Sequence, residues 1–206
     1  MGKRGPGLAR AQALIENLKR ELNLSTSTTL QNAKLTVAAE AATYGAGAVS
    51  TEIAPQTFIQ DVGGEIITTI LVDLTGLKTK STAQRVIGLA SGGAAYLLEY
   101  KASTSGILYK AEMECLELPT GGGDVNLDID IRAVDADDKE YNSNSSSYRV
   151  ILNSGGDMAK GQTFESLSCV PNDSDYVYMS TGAAESGDDT YTAGKIVIRL
   201  FGRKTF

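Results

Sequence analysis

The sequence predicts a mainly β protein: an antiparallel β-sandwich or jelly-roll-like domain, preceded by one N-terminal amphipathic helix and an extended arm. Three observations predict it. From residue 65 onward, eight or nine short runs of β-branched, aliphatic and aromatic residues are separated by Gly, Ser, Asn and Asp clusters, with no helical pattern between them. Several of these runs alternate apolar and polar residues, the period of a strand. Helical spacing is carried convincingly by a single stretch, residues 8 to 24. The 206 residues therefore divide into a helix over residues 1 to 24, a small-residue arm over 25 to 64 and a β-sandwich domain over 65 to 206.

In the leading segment, Leu8, Ala11, Ile15, Leu18 and Leu22 recur at alternating spacings of three and four. That spacing lines one face of an α-helix, and Leu14 widens the stripe. Pro6 and Gly7 precede it, and Asn23 followed by the run Ser25 to Thr29 closes it with residues that prefer turns to helix interiors. So short a helix is marginal in water by itself, so the stripe needs a surface to pack on. Three surfaces are open to it: the protein's own sheet, a symmetry-related copy, or a different protein.

Residues 25 to 64 are rich in Ser, Thr, Ala and Gly and poor in large side chains, as in the run from Ala38 to Ala48. Such a stretch buries little per residue and reads as an extended arm, with short strands around residues 34 to 38 and 57 to 60. The β pattern proper begins with Ile66, Ile67, Ile70, Leu71 and Val72 around two threonines. Further strands are expected at 85 to 89, 95 to 100, 107 to 118, 125 to 134, 148 to 152, 162 to 170, 176 to 180 and 195 to 201. Over 125 to 132, Val125, Leu127, Ile129 and Ile131 take one face and Asn126, Asp128, Asp130 and Arg132 the other, which predicts a strand with one wet face. Residues 107 to 118 alternate too, with Glu112, Glu114 and, after a phase slip near Cys115, Glu117 directed to solvent or an interface.

Charge and composition exclude several functions. The net charge of −6 and pI near 4.8 argue against a general nucleic-acid binder, which needs a concentrated basic surface. Basic residues gather at the ends, Lys3, Arg4, Arg10, Lys19 and Arg20 at the start and Arg199, Arg203 and Lys204 at the finish. They read as contacts for a partner of opposite charge or as solvated tails. No apolar run reaches the roughly 20 residues that span a bilayer, so no membrane insertion is expected. The basic opening is not followed by an apolar stretch of the kind a signal peptide carries. Cys115 and Cys169 are too few for a disulfide framework and read as buried thiols in a chain made in a reducing cytosol.

Catalytic machinery is not recognisable. The chain has no histidine, which removes the commonest general base and the Ser-His and Cys-His pairs. Two cysteines cannot build a four-cysteine zinc site, and neither a cofactor nor a metal is implied. Asp128 and Asp130 share a strand face at roughly 7 Å between α-carbons, a spacing that suits paired carboxylates, but alternating polar residues are the ordinary outcome of a one-sided sheet. The acidic runs 135 to 140 and 185 to 189 lack the glycine and distal glutamate of an EF-hand and read as solvated loops. The glycine pairs and triplets at 92, 121 and 155 are turn punctuation, because no Gly-Lys-Ser/Thr follows them. Tyr176 and Tyr178 share a strand face, where packing is the commoner use and ligand stacking the alternative.

Two stretches carry a resemblance. The opening from Met1 to Leu22, MGKRGPGLARAQALIENLKREL, and the ending from Tyr191 to Gly202, YTAGKIVIRLFG, resemble small virion structural proteins of marine tailed bacteriophages; the interior is similar only in tone. The resemblance implies a non-enzymatic virion component made in the host cytoplasm. Within that class, a capsid decoration or cement protein, a homotrimer bound to the major capsid protein, suits a short acidic β-rich chain with an anchoring segment. The alternatives are a tail-tube or fibre component of the virion, or a carbohydrate-binding β-sandwich. The expected interface is the helix stripe Leu8, Ala11, Ile15, Leu18 and Leu22, with no specific nucleic acid and no membrane as partner.

Overall fold

A computed structural model of the chain describes residues 29–30, 35–38, 44–50, 53–166, 168–182 and 187–204. The amphipathic segment expected over residues 1 to 24, with its stripe, lies outside the described residues. The described residues form a mainly β protein of two antiparallel sheets arranged as a sandwich.

The strands are β1 (Thr29–Leu30), β2 (Leu35–Ala38), β3 (Gln56–Val62), β4 (Glu65–Asp73), β5 (Tyr96–Glu99), β6 (Ile107–Gly121), β7 (Ile129–Val134), β8 (Arg149–Leu152), β9 (Thr163–Ser166), β10 (Tyr176–Thr181) and β11 (Tyr191–Arg203). The larger sheet runs β1-β2-β3-β4-β11-β6-β9 and the smaller β5-β10-β7-β8, all neighbours antiparallel. A single α-helical turn, α1 (Ala102–Ser105), joins β5 to β6. It has no apolar periodicity to announce it; Asp173 Oδ1 accepts from the Ala102 amide at 2.8 Å and Gly106 leaves it with φ 69°.

β4 shows why these residues form a sheet with a core on one side. Ile66, Thr68, Ile70 and Val72 are buried, while Glu65, Ile67, Thr69, Leu71 and Asp73 are half-buried on the outer face. β3 and β4 form a hairpin through Gly63 and Gly64, whose φ angles of 67° and 96° require residues without a Cβ penalty. β11 lies between β4 and β6, so Ile196, Ile198 and Leu200 sit at the centre of the inner face. Opposite them the smaller sheet contributes Leu97, Ile129, Ile131, Ile151, Val177 and Met179 to one continuous core.

The expected arm is integrated with the domain at several points. β3 pairs along its length with β4, β2 continues the same sheet, and Ala48 is fully buried in the core. The run expected as a strand at 85 to 89 makes isolated bridges, Arg85 to Asn144, Val86 to Ser180 and Gly88 to Lys78. Its backbone lies beside the end of β10, the Ile87 amide donating to the Met179 carbonyl and the Thr181 amide to the Arg85 carbonyl, with the Val86 amide donating to Ser143 on the other side, so it extends the smaller sheet without forming a ladder. Cys115 is buried, whereas Cys169 is partly exposed and hydrogen-bonded to the Val170 carbonyl, so only the first is a core thiol; both are free.

Candidate functional site

Two surfaces, one on each sheet, concentrate the polar chemistry of the molecule. The first is the even-numbered side of the chain around β7. Asn126, Asp128, Asp130 and Arg132, expected on a wet face, are all buried, between 0 and 4% exposed. The one-sided reading of this strand is therefore corrected. Neighbouring loops enclose it: residues 84 to 95 and 139 to 145 are laced to each other, the Val86 amide donating to the Ser143 carbonyl, the Ser145 amide to Gln84 and the Ala95 amide to Lys139, and Ser145, Ser154 and Gly182 lie against Arg132, Asp130 and Asp128. A second apolar cluster, Val86, Ala95, Tyr148 and Tyr178, fills the layer beneath.

Within that layer Arg132 Nη2 donates to Asp130 Oδ2 at 2.8 Å, and the Ser154 amide donates to Asp130 Oδ1 at 3.2 Å. The Ser154 hydroxyl donates to Asp128, and the Asp128 amide to Asn126 Oδ1 at 2.8 Å. Arg132 Nη1 reaches the Ser145 carbonyl at 3.3 Å. Burial pushes the Asp130 carboxyl above its ordinary value, the Arg132 guanidinium pulls it back, and the Asp128 charge adds to the rise. Gly182 lies against the Asp128 carboxylate so closely that a Cβ there would come within 2.2 Å of Oδ1. A cavity of about 280 Å³ opens beside the cluster, bounded by Gln84, Asp128, Asp130, Arg132 and Asn153 among others.

Chemically, this arrangement holds structure together. Both oxygens of Asp130 are occupied by protein donors, and Asp128 is engaged by Ser154, so the pair ties β7 to residues 153 to 155 and, through Gly182, to the end of β10. Among the described residues no group of three or more His, Cys, Asp or Glu is placed to hold a metal ion. The loop at 135 to 140 is largely exposed, as expected of a solvated tip. Tyr176 and Tyr178 do share a face, but Tyr178 is fully buried and packed edge-on near Tyr96 and at 6.0 Å from Tyr148, with its hydroxyl donating to the Ala136 carbonyl at 2.6 Å. Burial raises the Tyr148 hydroxyl to about 12.

The second surface is the outer face of the larger sheet, which sequence reasoning did not assemble. Register places Phe58 of β3 beside Thr69, Ile67 beside Phe201, and Leu71 beside Val197. On β6 the phase slip near Cys115 is a real irregularity: Ile196 faces Cys115 but Lys195 faces Glu117, which leaves Leu116 over at 42% exposure. Leu116, Ile53, Gln56, Leu71, Asp73 and Lys195 bound a shallow apolar groove of about 210 Å³. At the other end of the face Tyr109 packs against the Phe201 ring, takes Arg203 over its own ring at 5.0 Å and donates to Glu65. Between them run ion pairs: Arg199 Nη1 to Glu114 at 3.0 Å, and Lys110 to Glu112 at 2.6 Å and to Glu165 at 3.0 Å. The outward-facing Glu112, Glu114 and Glu117 find partners across the sheet in Arg199 and Lys195, and Glu112 also pairs with Lys110 on its own strand.

The five stripe residues Leu8, Ala11, Ile15, Leu18 and Leu22 lie outside the described residues, so their place relative to either surface is not described. Among the described residues no helix is long and apolar enough to cross a membrane. No protein-family model, curated protein or solved structure matches the chain.

Proposed function

We propose that this chain is a non-enzymatic structural protein of a tailed-bacteriophage virion, a capsid decoration (cement) protein that binds the major capsid shell as a homotrimer. The observation that carries the reading is the outer face of the larger sheet. Ile53, Ile107, Tyr109 and Leu116 are 40 to 50% exposed there, among ion pairs that fix charged side chains in place. Two apolar groups, Ile53 with Leu116 and Ile107 with Tyr109, separated by ordered charges, make the kind of mixed apolar and polar surface that protein contacts use. The likeness of the two chain ends to small virion proteins supplies the setting, a virion assembled in the host cytoplasm.

A structural role also accords with how the buried charges are used. Asp128 and Asp130 spend their hydrogen-bonding capacity on Ser154 and Arg132, which stiffens a domain and leaves no free carboxylate pair for glycoside cleavage. Burial of Tyr178 likewise withdraws one of the two rings on which carbohydrate stacking would rest.

Cryo-electron microscopy of purified particles of the phage encoding this chain tests the reading. Density for the two-sheet domain on the capsid surface, at hundreds of copies per particle, is the expected result. Tens of copies confined to the tail would assign it instead to a tube or fibre, and absence from the particle would sink the virion role.

A further inference from the structure

The outer face of the larger sheet carries exposed apolar side chains, and the sequence of the same chain carries a segment of matching chemistry. We propose that this face is the socket for residues 8 to 24 of a second copy of this chain, entered through Leu8, Ala11, Ile15, Leu18 and Leu22. The inference rests on the reading of the chain as an assembly protein and names the partner of that same surface.

Three features of the chain select this occupant. The first is apolar complementarity. Ile53 and Leu116, both 42% exposed, flank the groove over Leu71, and Ile67, Phe58 and Phe201 continue the apolar strip across β4, β3 and β11. A single-faced stripe of Leu and Ile is what such a strip buries. The second is size. The face from β2 to β6 spans four strand intervals, about 19 Å at ~4.8 Å each, and a helix over residues 8 to 24 runs about 25 Å at 1.5 Å per residue. A helix of that length would reach from β2 to β6 across one end of the strands.

The third feature is charge. On the strands of this face Glu65, Asp73, Glu112, Glu114, Glu117 and Glu165 outnumber Lys110, Lys195, Arg199 and Arg203 by two, and Glu112, Glu114, Glu117 and Glu165 pair with Lys110, Lys195 and Arg199, so the surplus acids are Glu65 and Asp73. Within residues 8 to 24 Arg10, Lys19 and Arg20 outnumber Glu16 and Glu21 by one, and Lys3 and Arg4 just ahead of the segment add two more positive charges. The segment is thus the basic counterpart of an acidic face. A segment-into-socket contact joins two different surfaces, so repeated from copy to copy it closes into a ring, and a trimer is the smallest ring above a reciprocal pair.

The test compares full-length protein with a version starting at residue 25, by sedimentation mass, and titrates a labelled peptide of residues 1 to 24 onto the shortened domain. The expected results are a full-length trimer, a monomeric shortened domain and a peptide that binds it. Leu116→Asp and Ile53→Asp, both at exposed positions that leave folding intact, are expected to weaken peptide binding tenfold or more and to dissociate the full-length trimer. Circular dichroism of each variant checks that folding. A shortened domain that stays oligomeric, a peptide that does not bind, or binding indifferent to both substitutions overturns the proposal. Peptide binding to the shortened domain with a monomeric full-length chain also overturns it, since the segment then closes on its own sheet. Absence of the chain from virions would sink the decoration reading while leaving this docking standing, and a virion-bound chain whose shortened domain remains trimeric would do the reverse.

Discussion

Asp130 and Arg132 stand two residues apart on β7, with side chains 1% and 5% exposed, and each is the other's main compensation for leaving water. Removing one partner strands a buried charge, which typically costs about 3–5 kcal/mol, more than the pair contributes over an apolar replacement. Arg132→Met is therefore expected to lower unfolding free energy by about that amount in urea titrations, and the double variant Asp130→Asn/Arg132→Met to recover much of the loss. The pH dependence has a definite sign. Burial raises the Asp130 carboxyl in the folded state above 3.8, so its contribution to stability is complete below that value and is lost as pH rises through the folded one. Relative to the parent, Asp130→Asn should thus gain stability as pH is raised from about 4 toward 7; a relative gain on acidification would contradict the assignment. Gly182→Ala reports on the same cluster, because the new methyl would overlap the Asp128 carboxylate. Overpacking of this kind costs about 1–3 kcal/mol and should lower the melting temperature by several degrees.

Among the elements, β11 has the most to lose. It is paired on both sides, with β4 and β6, and Ile196, Ile198 and Leu200 are fully buried. Ile198→Ala is expected to destabilise the domain by about 2–5 kcal/mol, and hydrogen exchange should find the β11 amides among the slowest and those of the edge strands β8 and β9 among the fastest. Much of this element map was legible in the sequence. The runs at 66, 107, 148, 176 and 195 are strands, and the slip in alternation at Cys115 is the irregularity that exposes Leu116. β7 was misjudged for a physical reason. Alternation of apolar and polar residues reports only that two faces differ, and the groups that enclose Asp128, Asp130 and Arg132, namely Ser154, Gly182 and Ser145, stand at loop positions with no periodicity to signal them. The outer face was illegible in the same way: Ile53, Leu71 and Leu116 come from three distant parts of the chain, and only register brings them to one groove.

At the scale of the whole molecule, the order of the strands along the chain differs from their order in space. β11 comes after the other described strands along the chain, yet it sits fifth of seven in the larger sheet, between β4 and β6. Until it arrives, β4 and β6 each present an unpaired edge, and the inner face lacks Ile196, Ile198 and Leu200 from the middle of the core. An open gap of one strand in a sheet is both an aggregation hazard and a template for strand addition. Folding is therefore expected to be gated by the C-terminal residues, with closure of a long loop before the pairing that repays it. A chain ending before Tyr191 should accumulate as insoluble or protease-sensitive material. Coexpression with a separate segment of residues 187 to 206 should restore soluble protein, because the backbone hydrogen bonds and the three buried side chains are supplied whether or not the chain is continuous. Recovery should fail when that segment carries Ile198→Asp, which keeps the backbone pairing but places a charge in the core. Solubility, protease resistance and copurification of the two pieces read the outcome. Soluble, protease-resistant protein from the shortened chain alone would show that the larger sheet closes without its central strand and would refute this order of assembly.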